Sequence, residues 1–199
     1  MATTLEKLQK FMSRSKLVYE VHEEHDVIAV GFSFDEDDTT YRDPQGERHL
    51  QLIVRLAERG EMVAVFAPRA WDLTDCPDRR AVCEAATIVQ CQMKLIRFDL
   101  DADSGAFTPN VELSLEKAPL CAQQLHRAIA AVLLAVRRYD PIFRHAMKTG
   151  VVDMSLAHED EPPTPPGDVT RILELGNDAG GLDALEQLLG DGDTPPIEA

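Results

Sequence analysis

Asp99, Asp101 and Asp103 stand on alternate positions in LIRFDLDADSGAFTPNVELSLE, residues 95–116, with Gly105 close behind. Such spacing opens a calcium loop. There, oxygens at positions 1, 3 and 5 surround the ion, glycine at 6 makes the sharp turn and glutamate at 12 closes the shell. Counted from Asp99, Ser104 falls where the glycine belongs, and Asn110 falls where the glutamate belongs. The flanks alternate where a calcium loop has helices. Ile96, Phe98 and Leu100 read as one face of a strand, and Val111, Leu113 and Leu115 as the strand that pairs with them. Asp101–Gly105 then fits a hairpin tip, where Asp and Gly tolerate unusual backbone angles. The pattern favours a β-hairpin and predicts no stoichiometric calcium or zinc.

Other chemistry-bearing residues are sparse. HEEH places His22 and His25 three apart, without the H-E-x-x-H order of a zinc protease, and reads as a solvated turn before the first strand. DEDD at 35–38 reads as a solvated loop. Cys76, Cys83, Cys91 and Cys121 contain no C-x-x-C pair. Cys83 and Cys91 fall in an apolar helical pattern and are expected as reduced, half-buried small hydrophobes. Trp71 is expected to cover a core edge. P-loop, dinucleotide and G-x-S-x-G signatures are missing. The expectation is no catalytic, metal or cofactor-binding residue, no cofactor and no enzyme.

The formal charge of the 199 residues is −15, unevenly spread. Residues 151–199 hold 12 acidic side chains against Arg171 alone, whereas residues 1–150 hold 23 acidic and 19 basic ones. A chain this acidic repels phosphate backbones, so nucleic acid is not an expected partner. No apolar run is long enough to span a bilayer, so neither is a membrane. The start of the chain lacks a signal-peptide pattern, and a cytoplasmic location is expected.

These residues need elements to position them. Leu5, Leu8, Phe11 and Met12 have helical spacing. VIAVGFSF (27–34) alternates as a strand, with Ile28, Val30, Phe32 and Phe34 on one face. DEDDTTYRDPQGE reads as a long polar turn. RHLQLIVRLAE and EMVAVFA follow as strands parted by Arg59-Gly60. TDCPDRRAVCEAATIVQCQM reads as a helix capped by Asp75, with Pro77 in its first turn and Val82, Ala86, Val89 and Met93 on its apolar face. After the hairpin, a helix is predicted from about Ala122 to Tyr139. Asp140-Pro141 restarts a helical turn that ends near Gly150. The order is αβββαββα over residues 1–150. Residues 151–199 are expected to be an acidic, Pro/Gly-rich, largely disordered tail. EDEPPTPPGD (159–168) is its linker, and Leu182, Leu185, Leu188 and Leu189 line one face of a short amphipathic stretch.

Within residues 82–143, Phe98-Asp99-Leu100-Asp101, Gly105, Gln124-Leu125 and Tyr139-Asp140-Pro141 follow one another in a helix–hairpin–helix setting. In this the chain resembles the YbjN family of bacterial sensory-transduction regulators, whose members look like type III secretion chaperones. The resemblance covers roughly residues 3–148. One departure is Gln90, where the family often has asparagine. The resemblance implies a non-enzymatic α+β domain with a curved antiparallel sheet and flanking helices.

The reading that follows is a cytoplasmic, chaperone-like or regulatory protein-interaction module that binds a protein client. The alternative is a small-molecule or signal-sensing regulator with a pocket between sheet and helices. Ile88 and Cys91 form a second, weaker apolar stripe on the middle helix, a candidate face for a homodimer. Leu182, Leu185, Leu188 and Leu189 are a candidate docking stripe for the domain or a partner.

Overall fold

The computed structural model describes residues 2–35, 39–116 and 118–158. The fold is α+β, an antiparallel sheet carrying three helices. Helix α1 (Leu5–Arg14) begins at Thr4, whose hydroxyl accepts the Lys7 N–H. Strands β1 (Tyr19–His22), β2 (Val27–Ser33), β3 (His49–Ala57), β4 (Met62–Phe66) and the short β5 (Trp71–Asp72) follow. Then come α2 (Arg79–Gln92), β6 (Arg97–Leu100), β7 (Ala106–Ser114) and α3 (Ala122–Thr149). The sheet order is β1-β2-β3-β4-β7-β5, with β6 also on β7. Two short strands, β1 and β5, are thus added to the expected order.

Strand β7 joins the halves of the sheet. Its first residues pair with β5 and β6, and its later ones with β4. This corrects the expected hairpin register. Phe98 faces Pro109 and Leu100 faces Phe107, whereas Val111 and Leu113 pair with Val65 and Val63 of β4. The same face of β7 is apolar throughout, so its alternation alone did not fix which stretch β6 would take.

Three further expectations are corrected. Helix α2 starts one turn later than predicted, because Asp78, and not Asp75, caps it by accepting the Arg80 N–H. Cys83 and Cys91 are exposed, not half-buried. Helix α3 does not stop at Tyr139 but runs unbroken through Pro141 to Thr149. Proline has no N–H to give the carbonyl four residues back, here that of Arg137. The Thr39 hydroxyl donates to that carbonyl instead, at 3.3 Å, so the gap is filled from outside the helix.

The helices share one side of the sheet. Leu8 and Met12 of α1, Val82 and Val89 of α2, and Ile129, Val136 and Phe143 of α3 join Ile28, Val30, Leu52, Val65 and Val111 in one core. Trp71 covers the edge of that core, as expected. It is 3% exposed, with its ring 4.6 Å from Phe143 and 5.8 Å from Phe107. The turn after β2 is not simply solvated: Thr39 and Tyr41 are buried within it. Beyond Gly150, Val152, Met154 and Ala157 pack against the same core.

Candidate protein-interaction face

Paired residues in an antiparallel sheet point to the same side. One cross-strand row runs Glu20–Ala29–Ile53–Phe66–Asn110–Arg97, across β1, β2, β3, β4, β7 and β6. The next runs His22–Val27–Arg55–Ala64–Glu112. Both lie on the face turned away from the helices. The first row is apolar in its middle and polar or charged at its ends; the second carries Arg55 between Val27 and Ala64, with His22 and Glu112 at its ends. Val27, Ala29 and Ile53, with Phe66 beside them, form a second cluster made of strand residues only, among the described residues.

The polar groups around this cluster are tightly placed. The Arg55 guanidinium lies 5.5 Å from the Phe66 ring centroid, a cation–π distance. Burial pulls Arg55 below its ordinary pKa, against the attraction of Glu112. Arg97 donates two bonds to Glu112, at 2.7 and 2.8 Å, and pairs with Asp99 at 3.0 Å. Burial disfavours the Arg97 charge, but the bonds to Asp99 and Glu112 outweigh it and raise its pKa. Asn110 donates to Asp99 at 2.8 Å. Three buried atoms on this face, His22 Nε2, Arg55 Nε and Asn110 Oδ1, have no hydrogen-bond partner among the described residues. Buried polar atoms are normally satisfied. A face with an apolar centre, a charged rim and spare hydrogen-bonding capacity is suited to a covering layer.

The alternating aspartates have separate jobs. Asp99 serves the Arg97–Asn110 network. Asp101 closes the hairpin tip by accepting the Asp103 N–H at 3.0 Å and the Ser104 hydroxyl at 2.6 Å. Asp103 is exposed. Gly105 is required by geometry: its φ is +72°, and a Cβ there would stand 2.7 Å from the Thr74 nitrogen. Among the described residues, no group of three or more His, Cys, Asp or Glu side chains is placed to hold a metal ion.

Asp101 carries a pH prediction. The Ser104 hydroxyl, then the Asp103 and Ser104 N–H groups, hold its carboxyl below the usual aspartate range. Because the folded pKa is depressed, the tip is supported above the unfolded value, and that support is lost as pH falls through the folded pKa. Carboxyl NMR titration should show Asp101 titrating below a free aspartate, and S104A should move it back up. An unshifted Asp101 would contradict the capped tip.

The chain is similar in structure to YbjN from E. coli. The identity is 7% and the TM-score 0.48, covering 70% of this chain and 93% of that one. It is also similar to a chain of the HopA1-SchA chaperone-effector complex, at 15% identity and TM-score 0.44, covering 65% of this chain and 87% of that one. A third likeness is to the ExsC-ExsE complex, at 15% identity and TM-score 0.42, covering 67% and 90%. No protein-family profile and no curated protein matches the sequence.

The residues that carried the sequence resemblance, and Gln90 that departs from it, have structural duties here. Gln124 accepts the Cys121 N–H at 2.9 Å and caps α3. Gln90 accepts the Phe98 N–H at 3.2 Å, tying α2 to strand β6. Tyr139 donates to Gln92 at 3.1 Å. Asp140 is fully buried and accepts from Trp71 Nε1 at 2.8 Å, Thr40 at 2.5 Å and Arg144 Nε at 2.9 Å. Arg144 also donates to the Arg42 carbonyl at 2.7 Å.

The remaining candidates are dispersed. His22 ends β1 beside Glu20 and Glu24, and His25 is exposed in the following turn. Asp35 is exposed, and the rest of DEDD lies outside the described residues. Ile88 is half-buried and Cys91 exposed on the outer side of α2. Leu182, Leu185, Leu188 and Leu189 lie outside the described residues. An open groove of about 530 Å³ runs between α1 and β1, lined by Glu6, Gln9, Lys10, Ser13, Arg14 and Tyr19. Sequence reasoning missed the second sheet face and the Asp140 cluster. The first had a signal: VIAVGFS is apolar at nearly every position, as in a strand buried on both sides.

Proposed function

We propose that this protein is a non-catalytic, chaperone-like interaction module that holds a segment of a client protein on the second face of its sheet. The observation that carries this is the strand-only apolar cluster of Val27, Ala29, Ile53 and Phe66, framed by Arg55, Arg97 and Glu112. An extended or helical client segment would place apolar side chains over half-buried Phe66, at the edge of a cluster whose Val27, Ala29 and Ile53 are themselves almost fully buried. Its backbone or polar groups would meet the spare capacity of Arg55 and Asn110. A second copy packing on Ile88 and Cys91 of α2 would leave this face clear, since α2 lies on the helical side.

The test uses a permanently unfolded probe, such as reduced and carboxymethylated α-lactalbumin, with binding followed by fluorescence anisotropy. The full-length protein should bind it. Replacing half-buried Phe66 by lysine removes an apolar anchor worth roughly 1.5–3 kcal/mol. The F66K variant should therefore bind about tenfold or more weakly, whereas I88E should bind as the parent does. No binding by the parent, or equal binding by F66K, would show that the face is not a client site.

A further inference from the structure

Arg55 stands on the second sheet face between Val27 of β2 and Ala64 of β4. A guanidinium offers its N–H donors in a planar fork and accepts nothing. No donor of Arg55 makes a hydrogen bond or an ion pair among the described residues, and its Nε is closed off from solvent. The Phe66 ring, diagonal to it across β3 and β4, holds the fork 5.5 Å from its centroid. The carboxylate that attracts Arg55, that of Glu112, lies beyond Ala64 in the same row. Both Glu112 oxygens are already bonded to Arg97, at 2.7 and 2.8 Å.

Half-buried Arg55 keeps part of its hydration in the uncovered protein. A client segment lying on Phe66 strips that water away. A desolvated charge is strongly unfavourable unless a counter-charge of good geometry replaces the water. A backbone carbonyl would supply an acceptor but no charge, and Glu112 is committed to Arg97. The counter-charge has to arrive with the client.

We infer that the client segment carries an Asp or Glu side chain that pairs with Arg55, beside an apolar residue seated on Phe66. The inference rests on the reading of this face as the client site and names the class of segment it takes. Because Nε is shielded, the carboxylate meets the fork at Nη1 and Nη2, a planar two-bond contact that lysine could not reproduce. Side chains on one side of an extended segment repeat at about 6.6 Å. Helical residues three or four apart are about 5–6 Å apart. Either spacing suits the 5.5 Å between guanidinium and ring. The recognised element is therefore an apolar residue with an acid two positions away in an extended client, or three to four away in a helical one.

The experiment probes an array of overlapping, end-blocked peptides of the α-lactalbumin sequence with the full-length protein. The strongest binder should contain the apolar–acid pair. Resynthesised with that acid changed to its amide, Glu→Gln or Asp→Asn, it should bind about tenfold more weakly by fluorescence anisotropy. The R55Q variant should bind the two peptides alike. R127Q removes the same charge from exposed Arg127 on α3, on the helical side of the sheet, and should keep the full discrimination. Strongest binders that lack an acid, equal binding of the two peptides by the parent, or discrimination that R55Q retains or R127Q loses would each overturn the inference. F66K separates these failures from failure of the face itself, because it should weaken binding of both peptides whether or not the acid matters. A parent that binds no peptide overturns both readings. The two peptides are compared on the parent without any variant, so a folding defect in R55Q does not shield the inference.

Discussion

Replacing Asp140 by alanine is expected to cost about 3–5 kcal/mol of folding stability, because it removes the shared acceptor of several hydrogen bonds and each buried donor left unpaired costs about 1–3 kcal/mol. The carboxylate is fully buried and holds three elements at once. Thr40 comes from the loop after β2, Trp71 from β5, and Arg144 from the next turn of α3. Removing it leaves the indole N–H without an acceptor in the core. It also leaves Arg144 with the Arg42 carbonyl as its one remaining hydrogen-bond acceptor among the described residues. The loop then loses its tie at Thr40, and with it the position from which Thr39 serves the Arg137 carbonyl opposite Pro141. For a domain of this size the melting temperature should fall by roughly 10 °C or more. Denaturant titration and calorimetry of D140A check it. A loss under ~1 kcal/mol would mean that the cluster only decorates the fold.

Trp71→Ala should be comparably damaging, at about 3–5 kcal/mol, because a large ring leaves a cavity that the neighbours fill only in part. Tyr41, Phe98, Phe107 and Phe143 all stand against that ring. Trp71→Phe separates the two roles of the side chain. It keeps most of the ring and deletes the N–H, so it should cost about 1.5–3 kcal/mol, the range for a hydrogen bond to a charged group. In a double-mutant cycle, W71F and D140A should be clearly non-additive, since each removes the same bond. Additive losses would show that the two residues do not act together.

Much of the sheet was legible from the chain. The alternation of Ile28, Val30 and Phe32, and of Leu50, Leu52 and Val54, marks residues that do join the core. The hairpin around Asp101 was legible because turn chemistry is local: a carboxylate caps nearby N–H groups, and glycine takes a positive φ. The stop of α3 was misread for the converse reason. Proline's missing N–H is a local fact, but the hydroxyl that compensates lies about a hundred residues earlier, at Thr39. The register of β7 was also misread, since an apolar face that runs the whole length of a strand matches more than one neighbour.

What the sequence determined by itself is therefore what nearest neighbours decide: the helical and strand periods, the capped hairpin tip and the contrast in charge between residues 1–150 and the acidic remainder. Only the tertiary structure decided which residues form the second sheet face. Glu20, Ala29, Ile53, Phe66, Asn110 and Arg97 become one row solely because six strands pair in one register. The same holds for Asp140, whose neighbours in sequence give no hint that Trp71 and Thr40 will reach it. Side-chain periodicity is fixed by backbone geometry within a segment, whereas the pairing of distant segments is fixed by the sum of contacts that no single segment contains.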